Sequence, residues 1–134
     1  MSDTLDALQR VVGHWVVRYI GPDLLIDRRE RALRVLEEAI ELAQAEGLSR
    51  DSVARLSDRA FSRPAGEPRS EAAGVLVTLL AWAVGAQVSL WDEAIREVRR
   101  IHRLPPEAVR LKQAEKARAG CAVSSTESNR GTHD

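Results

Sequence analysis

Three glutamates, Glu37, Glu38 and Glu41, lie inside the apolar-periodic stretch Leu33 to Leu42. Wound as a helix at about 100° per residue, they fall together in a wedge roughly 100° wide. Leu33, Leu36, Ile40 and Ala43 form an apolar face on one side of the wedge, and Val35 and Leu42 form a second face nearly opposite. Carboxylates this close repel one another, by about 1 kcal/mol per pair at 4 Å even in bulk water. A divalent cation relieves that repulsion. Mg²⁺ takes six hard oxygen ligands at about 2.0–2.1 Å and keeps several waters, which leaves an open side for a phosphate. Glu71, at the start of a second and more apolar segment, is a third source of carboxylate for the Glu38 and Glu41 pair, and an acid there also favours the helix dipole. Zinc is not indicated, because no His or Cys falls at ligand spacing. By pattern alone, the three glutamates also fit a solvated helix face, and Glu71 a simple helix-start acid.

The elements that must position these residues are helices. Residues 4–20 carry Leu5, Leu8, Val12, Trp15 and Tyr19 at heptad-like spacing, and Gly21-Pro22 ends that run. Asp27 caps a second helix that carries the glutamates to Ala45 and stops at Gly47. Ser49 caps a third, short helix with Val53, Leu56 and Ala60 inward, broken by the turn-rich Arg63-Pro64-Ala65-Gly66-Glu67-Pro68. The fourth starts near Arg69, is apolar nearly all round, and is expected to be the central helix of a bundle. Ser89 opens a fifth, with Leu90, Ala94, Val98 and Ile101 inward and Arg96, Arg99, Arg100 and Arg103 outward, ended by Pro105-Pro106. The expected organisation is a helical bundle domain over 1–104, a charged helical extension over 105–119 and a polar, disordered tail over 120–134.

With 134 residues the chain is long enough for one domain with its own core. Lys+Arg and Asp+Glu are balanced at 20 each, so no overall field points to nucleic acid or an anionic membrane. Aromatics are scarce and no segment alternates with period two, which makes the fold class all-α. The single Cys121 excludes an internal disulfide framework and fits a reducing cytoplasm, and the acidic N-terminus lacks the basic start of a signal peptide. Ala72 to Trp91 is uncharged over a length that would span a bilayer, but Gly85-Ala86-Gln87 reads as a helix end. The uninterrupted apolar part, about 15 residues, is nearer a buried core helix than a membrane span.

Three blocks in order carry a family resemblance: Arg31-x-x-Arg34-Val35-Leu36-Glu37-Glu38-Ala39-Ile40-Glu41-Leu42-Ala43-Gln44-Ala45, then Phe61-Ser62-Arg63-Pro64-Ala65-Gly66-Glu67-Pro68, then Glu71-Ala72-Ala73-Gly74-Val75-Leu76-Val77-Thr78-Leu79. Over roughly residues 15–118 the chain resembles the MazG-like all-α nucleoside triphosphate pyrophosphohydrolases, in particular a small phage and bacterial branch. The resemblance implies a four- to five-helix bundle, a homodimer or homotetramer, and Mg²⁺, or alternatively Mn²⁺, bound through an ExxE and an ExxD element. It implies hydrolysis of an NTP or dNTP to the monophosphate and pyrophosphate. Position by position, Glu38 and Glu41 match the ExxE ligands, Glu71 matches the ExxD glutamate, and Glu37 matches the leading acid that orients a water or holds a second ion. The chain departs from the pattern at Gly74, which stands where the motif has Asp; Gly here is a feature of the small branch. Thr78, one turn further along, could bind phosphate or a metal-bound water, and Asp58 and Glu67 are candidate replacement acids. Arg63 suits phosphate, since guanidinium geometry matches it well. The alternative is a catalytically impaired relative acting as a nucleotide-binding or protein-interaction module.

Other residues carry weaker signals. Trp15, Trp82 and Trp91 fit core or interface positions better than base-stacking platforms, and His14, His102 and His133 form no cluster. Residues 96–118 hold eight Lys/Arg against three acids, a net +5. Such a run is ordinarily a solvated face, with contact to a triphosphate, a partner subunit or nucleic acid as the other readings. Nucleic acid is disfavoured because no recognisable reading motif is present.

Overall fold

A computed structural model describes residues 2–123, and every regular element among them is a helix. The order is α1 (Ser2–Tyr19), α2 (Pro22–Ile26), α3 (Arg28–Ala45), α4 (Arg50–Phe61), α5 (Pro68–Ala86), α6 (Leu90–Ile101) and α7 (Pro106–Arg118). The all-α expectation holds: among the described residues are the five helices read from the pattern, the expected charged extension as α7, and one helix more, the short α2. Pro22 does more than end α1: it opens α2 in a first-turn position, where a missing N–H costs nothing. Pro106 does the same for α7, so the charged extension is a helix. The expected disordered tail lies, beyond Val123, outside the described residues.

Local chemistry sets the boundaries. Asp27 Oδ1 accepts the N–H groups of Arg29 and Glu30 at 3.0 and 3.1 Å and so caps α3. Beyond Ala45 the chain turns at Gly47, whose φ of 79° lies in the left-handed region that favours glycine. Ser49 Oγ takes the Ser52 N–H at 3.2 Å at the start of α4. The Glu67 carboxylate takes the Arg69 and Ser70 N–H groups at the start of α5. Ser89 Oγ takes the Asp92 N–H at the start of α6.

The chain divides into two compact units, Met1–Glu41 with Ile101–Asp134, and Leu42–Arg100. In the first, α2 and α7 pack on α1. Val16, Tyr19 and Val109 are buried there. Trp15 and Tyr19 stack at 5.1 Å, the Trp15 indole N–H donates to the Ile101 carbonyl, and the Tyr19 hydroxyl donates to the His102 carbonyl. Trp15 is therefore a structural residue.

In the second unit the apolar faces are largely uncovered. Ala83 is the buried residue of α5, while Val77 and Val84 are 65% and 80% exposed, and Phe61 at the end of α4 is 88% exposed. Leu56, expected inward on α4, is also exposed. Periodicity shows that a helix has an apolar face, but the covering partner is a tertiary property, and within this one chain α5 does not take the central, covered position expected of it. By length and composition α5 meets the test for a membrane-crossing helix, at mean hydropathy 1.2.

Candidate functional site

The glutamates lie in the middle of α3, with a three-residue step from Glu38 to Glu41 that projects both carboxylates from adjacent turns of one face. Both are exposed, and neither accepts a hydrogen bond from any described residue. Their four oxygens are hard donors free to bind a cation. The flanking Val35, Leu36 and Ile40 are each about half exposed, so the stripe borders apolar surface on both sides, as its spacing implied.

Glu37 differs from its neighbours. Its Oε2 accepts from Arg34 Nη1 at 2.7 Å, one turn back on α3, and from Lys116 Nζ at 2.8 Å, on α7. The hydrogen bond from Lys116 is the main force holding the Glu37 carboxyl below the usual carboxylate range; partial burial opposes it, and the charges of Lys116 and Arg34 add to it.

Beneath this pair is a feature that sequence reasoning missed. Glu30 is fully buried. Its Oε1 accepts from Gln113 Nε2 at 2.9 Å and its Oε2 from the Val123 N–H at 2.8 Å, so one carboxylate ties both α7 and the segment after it to α3. Arg34 Nε and Arg31 Nη2 stand 3.3 and 3.5 Å from Glu30 Oε1. These are ion pairs by distance without hydrogen-bond alignment, since the same nitrogens, with Arg31 Nε, are buried and donate to no acceptor. Burial pulls the Arg31 guanidinium below its usual range, with Glu30 opposing; it stays protonated at any ordinary pH. Arg34 Nη2 also donates to the Cys121 carbonyl. Glu30 sits three residues after the cap Asp27, where a glutamate ordinarily reads as helix-start chemistry. Its partners are 83 and 93 residues away, which no local pattern reports.

The remaining candidates belong to the Leu42–Arg100 unit. Glu71 is exposed in the first turn of α5, and its carboxylate folds back over Gly66, where any Cβ would collide with it. Thr78 donates its hydroxyl to the Gly74 carbonyl at 2.7 Å, so its hydrogen is spent on the helix backbone and only oxygen lone pairs remain for a ligand. Gly74 faces open space: a Cβ built there meets nothing within 4 Å. Asp58 on α4 and Arg63 in the connection are exposed, and their side chains meet no partner among the described residues. The structure thus brings Glu37, Glu38 and Glu41 onto one face of α3, and Glu71, Gly74 and Thr78 onto α5. Among the described residues, no three His, Cys, Asp or Glu side chains come close enough together to enclose a metal ion.

Of the basic run, Arg96 and Arg100 pair within α6 with Glu93 and Glu97, and Lys116 reaches Glu37 on α3. In comparisons with known proteins, no family model, curated protein or solved structure matches the chain.

Proposed function

We propose that the chain is a Mg²⁺-dependent, MazG-like pyrophosphohydrolase that converts an NTP or dNTP to the monophosphate and pyrophosphate. The observation carrying this reading is the α3 face, where Glu38 and Glu41 present carboxylates with no partner among the described residues, between two apolar borders. The three ordered sequence blocks support it. Glu38 and Glu41 would hold the ion, and the family resemblance adds Glu71 as a further ligand. Bound there, Mg²⁺ or Mn²⁺ would neutralise triphosphate charge and lower the pKa of a water. Glu37 accepts the proton of the attacking water, whose oxygen bonds to the α-phosphorus while the bridge to the β-phosphate breaks and pyrophosphate leaves. Arg63 would donate to the substrate phosphates, while Thr78 and Asp58 would act only as acceptors, toward a metal-bound water or the donors of base and sugar.

The proposed active species is a homodimer or homotetramer in the cytoplasm. Support comes from the uncovered α4 and α5 side chains, Phe61, Val77 and Val84 among them, each worth about 1.5–3 kcal/mol when fully buried. A second copy of the chain offers the same apolar face and no net charge to repel it. The second functional reading, a nucleotide-binding or protein-interaction module, is favoured by one observation: Gly74 supplies no side-chain oxygen where the resembled motif has Asp.

The test is pyrophosphate release from a panel of common and modified NTPs and dNTPs with Mg²⁺ and with Mn²⁺. Turnover that Glu38→Gln and Glu41→Gln abolish supports the enzyme. No turnover across the panel rejects it.

A further inference from the structure

Lys116 is placed on Glu37 by more than its own ion pair. Gln113, one turn earlier on α7, is held by the buried Glu30 at 2.9 Å, and Val123 is held by the same carboxylate at 2.8 Å. These anchors fix the register of α7 against α3, so Lys116, its side chain 33% exposed, meets Glu37 Oε2 through its ammonium at 2.8 Å. Arg34 shares that oxygen from the other side at 2.7 Å. Two cations thus stand on the one acid of the stripe that is partly covered, while Glu38 and Glu41 have none.

From this arrangement we infer that Lys116 is a phosphate-binding residue, held in reserve on Glu37 and handed to the substrate's polyphosphate when a divalent ion occupies the α3 carboxylates. The inference rests on the functional reading of α3 given above. Without an ion, the ammonium and the Arg34 guanidinium offset the charge of the glutamate wedge. With a dication held by the neighbouring Glu38 and Glu41, Lys116 would feel added like charge, which would loosen its hold on Glu37. A polyphosphate beside the ion then offers the ammonium charge-assisted acceptors stronger than a carboxylate already shared with Arg34. By linkage, ion and polyphosphate each favour the other's binding, and Lys116 carries part of that coupling.

The full chain is titrated by calorimetry, first with Mn²⁺ alone and then, at saturating Mg²⁺, with inorganic tripolyphosphate, for the native protein, Lys116→Ala and Lys116→Arg. Lys116→Ala should bind Mn²⁺ alone about 1.5- to 5-fold more tightly, the scale of a part-exposed ion pair removed as competitor. The same variant should bind Mg-tripolyphosphate about ten- to a hundredfold more weakly, as when a hydrogen bond to a charged group is lost. Lys116→Arg should restore polyphosphate binding to within a few-fold of the native value and shows that the fold survives substitution at this position. Native-like polyphosphate affinity in Lys116→Ala, with Mn²⁺ binding intact, overturns the inference and leaves the functional reading standing. Failure of the native chain to bind Mn²⁺ overturns both.

Discussion

Removing the Glu30 carboxylate should cost this chain a large part of its stability. The side chain is fully buried, and Glu30→Ala deletes acceptors for Gln113 Nε2 and the Val123 N–H. It also strips the counter-charge from Arg31 and Arg34, which already bury nitrogens that donate to nothing. Breaking one side of a buried ion pair typically costs about 3–5 kcal/mol, against a total folding stability of about 5–15 kcal/mol. With a urea slope of about 2 kcal/mol/M, the unfolding midpoint should fall by roughly 2 M. Glu30→Gln, which keeps the shape and one acceptor but not the charge, should lose less. Urea unfolding followed by circular dichroism measures the shift, and amide hydrogen exchange should show α7 losing protection before α1. A Glu30→Ala loss below about 1 kcal/mol, the scale of an exposed ion pair, refutes the assignment of Glu30 as the buried tie between α3 and α7.

Three further outcomes are expected. The stabilising effect of the Lys116–Glu37 pair should depend on pH: Glu37 sits below its usual 4.5 in the folded chain, so the contribution is present above that value and fades as pH falls through the lowered one. Melting curves of native chain and Lys116→Ala should therefore differ at pH 7 and draw together as acid protonates Glu37; a difference that grows on acidification contradicts the pairing. Gly74→Asp should fold with a stability change of a few tenths of a kcal/mol, because the position is open and Asp suits a helix slightly better than Gly. Pyrophosphate release that appears only in that variant favours the binding-module reading, whereas turnover already present in the native chain favours the enzyme. Val77→Lys with Val84→Lys should shift the sedimentation of a native dimer or tetramer to monomer. A native chain that is monomeric, or that partitions into phosphatidylcholine vesicles instead, rejects self-association through α5.

Much of the helix layout is readable locally, because caps and breakers act within a few residues: Asp27, Ser49 and Ser89 start helices where their side-chain oxygens meet free N–H groups. The short α2 escapes because Gly21-Pro22 reads equally as an end and as a beginning, and five residues are too few to show a period. The α3 stripe is legible for the same reason that α3 is, since periodicity puts Glu37, Glu38 and Glu41 on one face. What distinguishes Glu37 from the other two is not legible, because Lys116 lies 79 residues away and meets it only through tertiary register. The basic run shows the same limit: its composition treats Arg96, Arg100 and Lys116 alike, yet the first two are satisfied within α6. Likewise the apolar faces of α4 and α5 are evident from Leu56, Val77 and Val84, but the surface that covers them is not contained in their spacing.

Titration of the full chain with Mn²⁺, beside the double variant Glu38→Gln and Glu41→Gln, tests the cation-binding face most directly. Saturable binding in the native chain and its loss in the double variant, with circular dichroism unchanged, is the expected result. Equal binding by the two chains, or none by either, contradicts it.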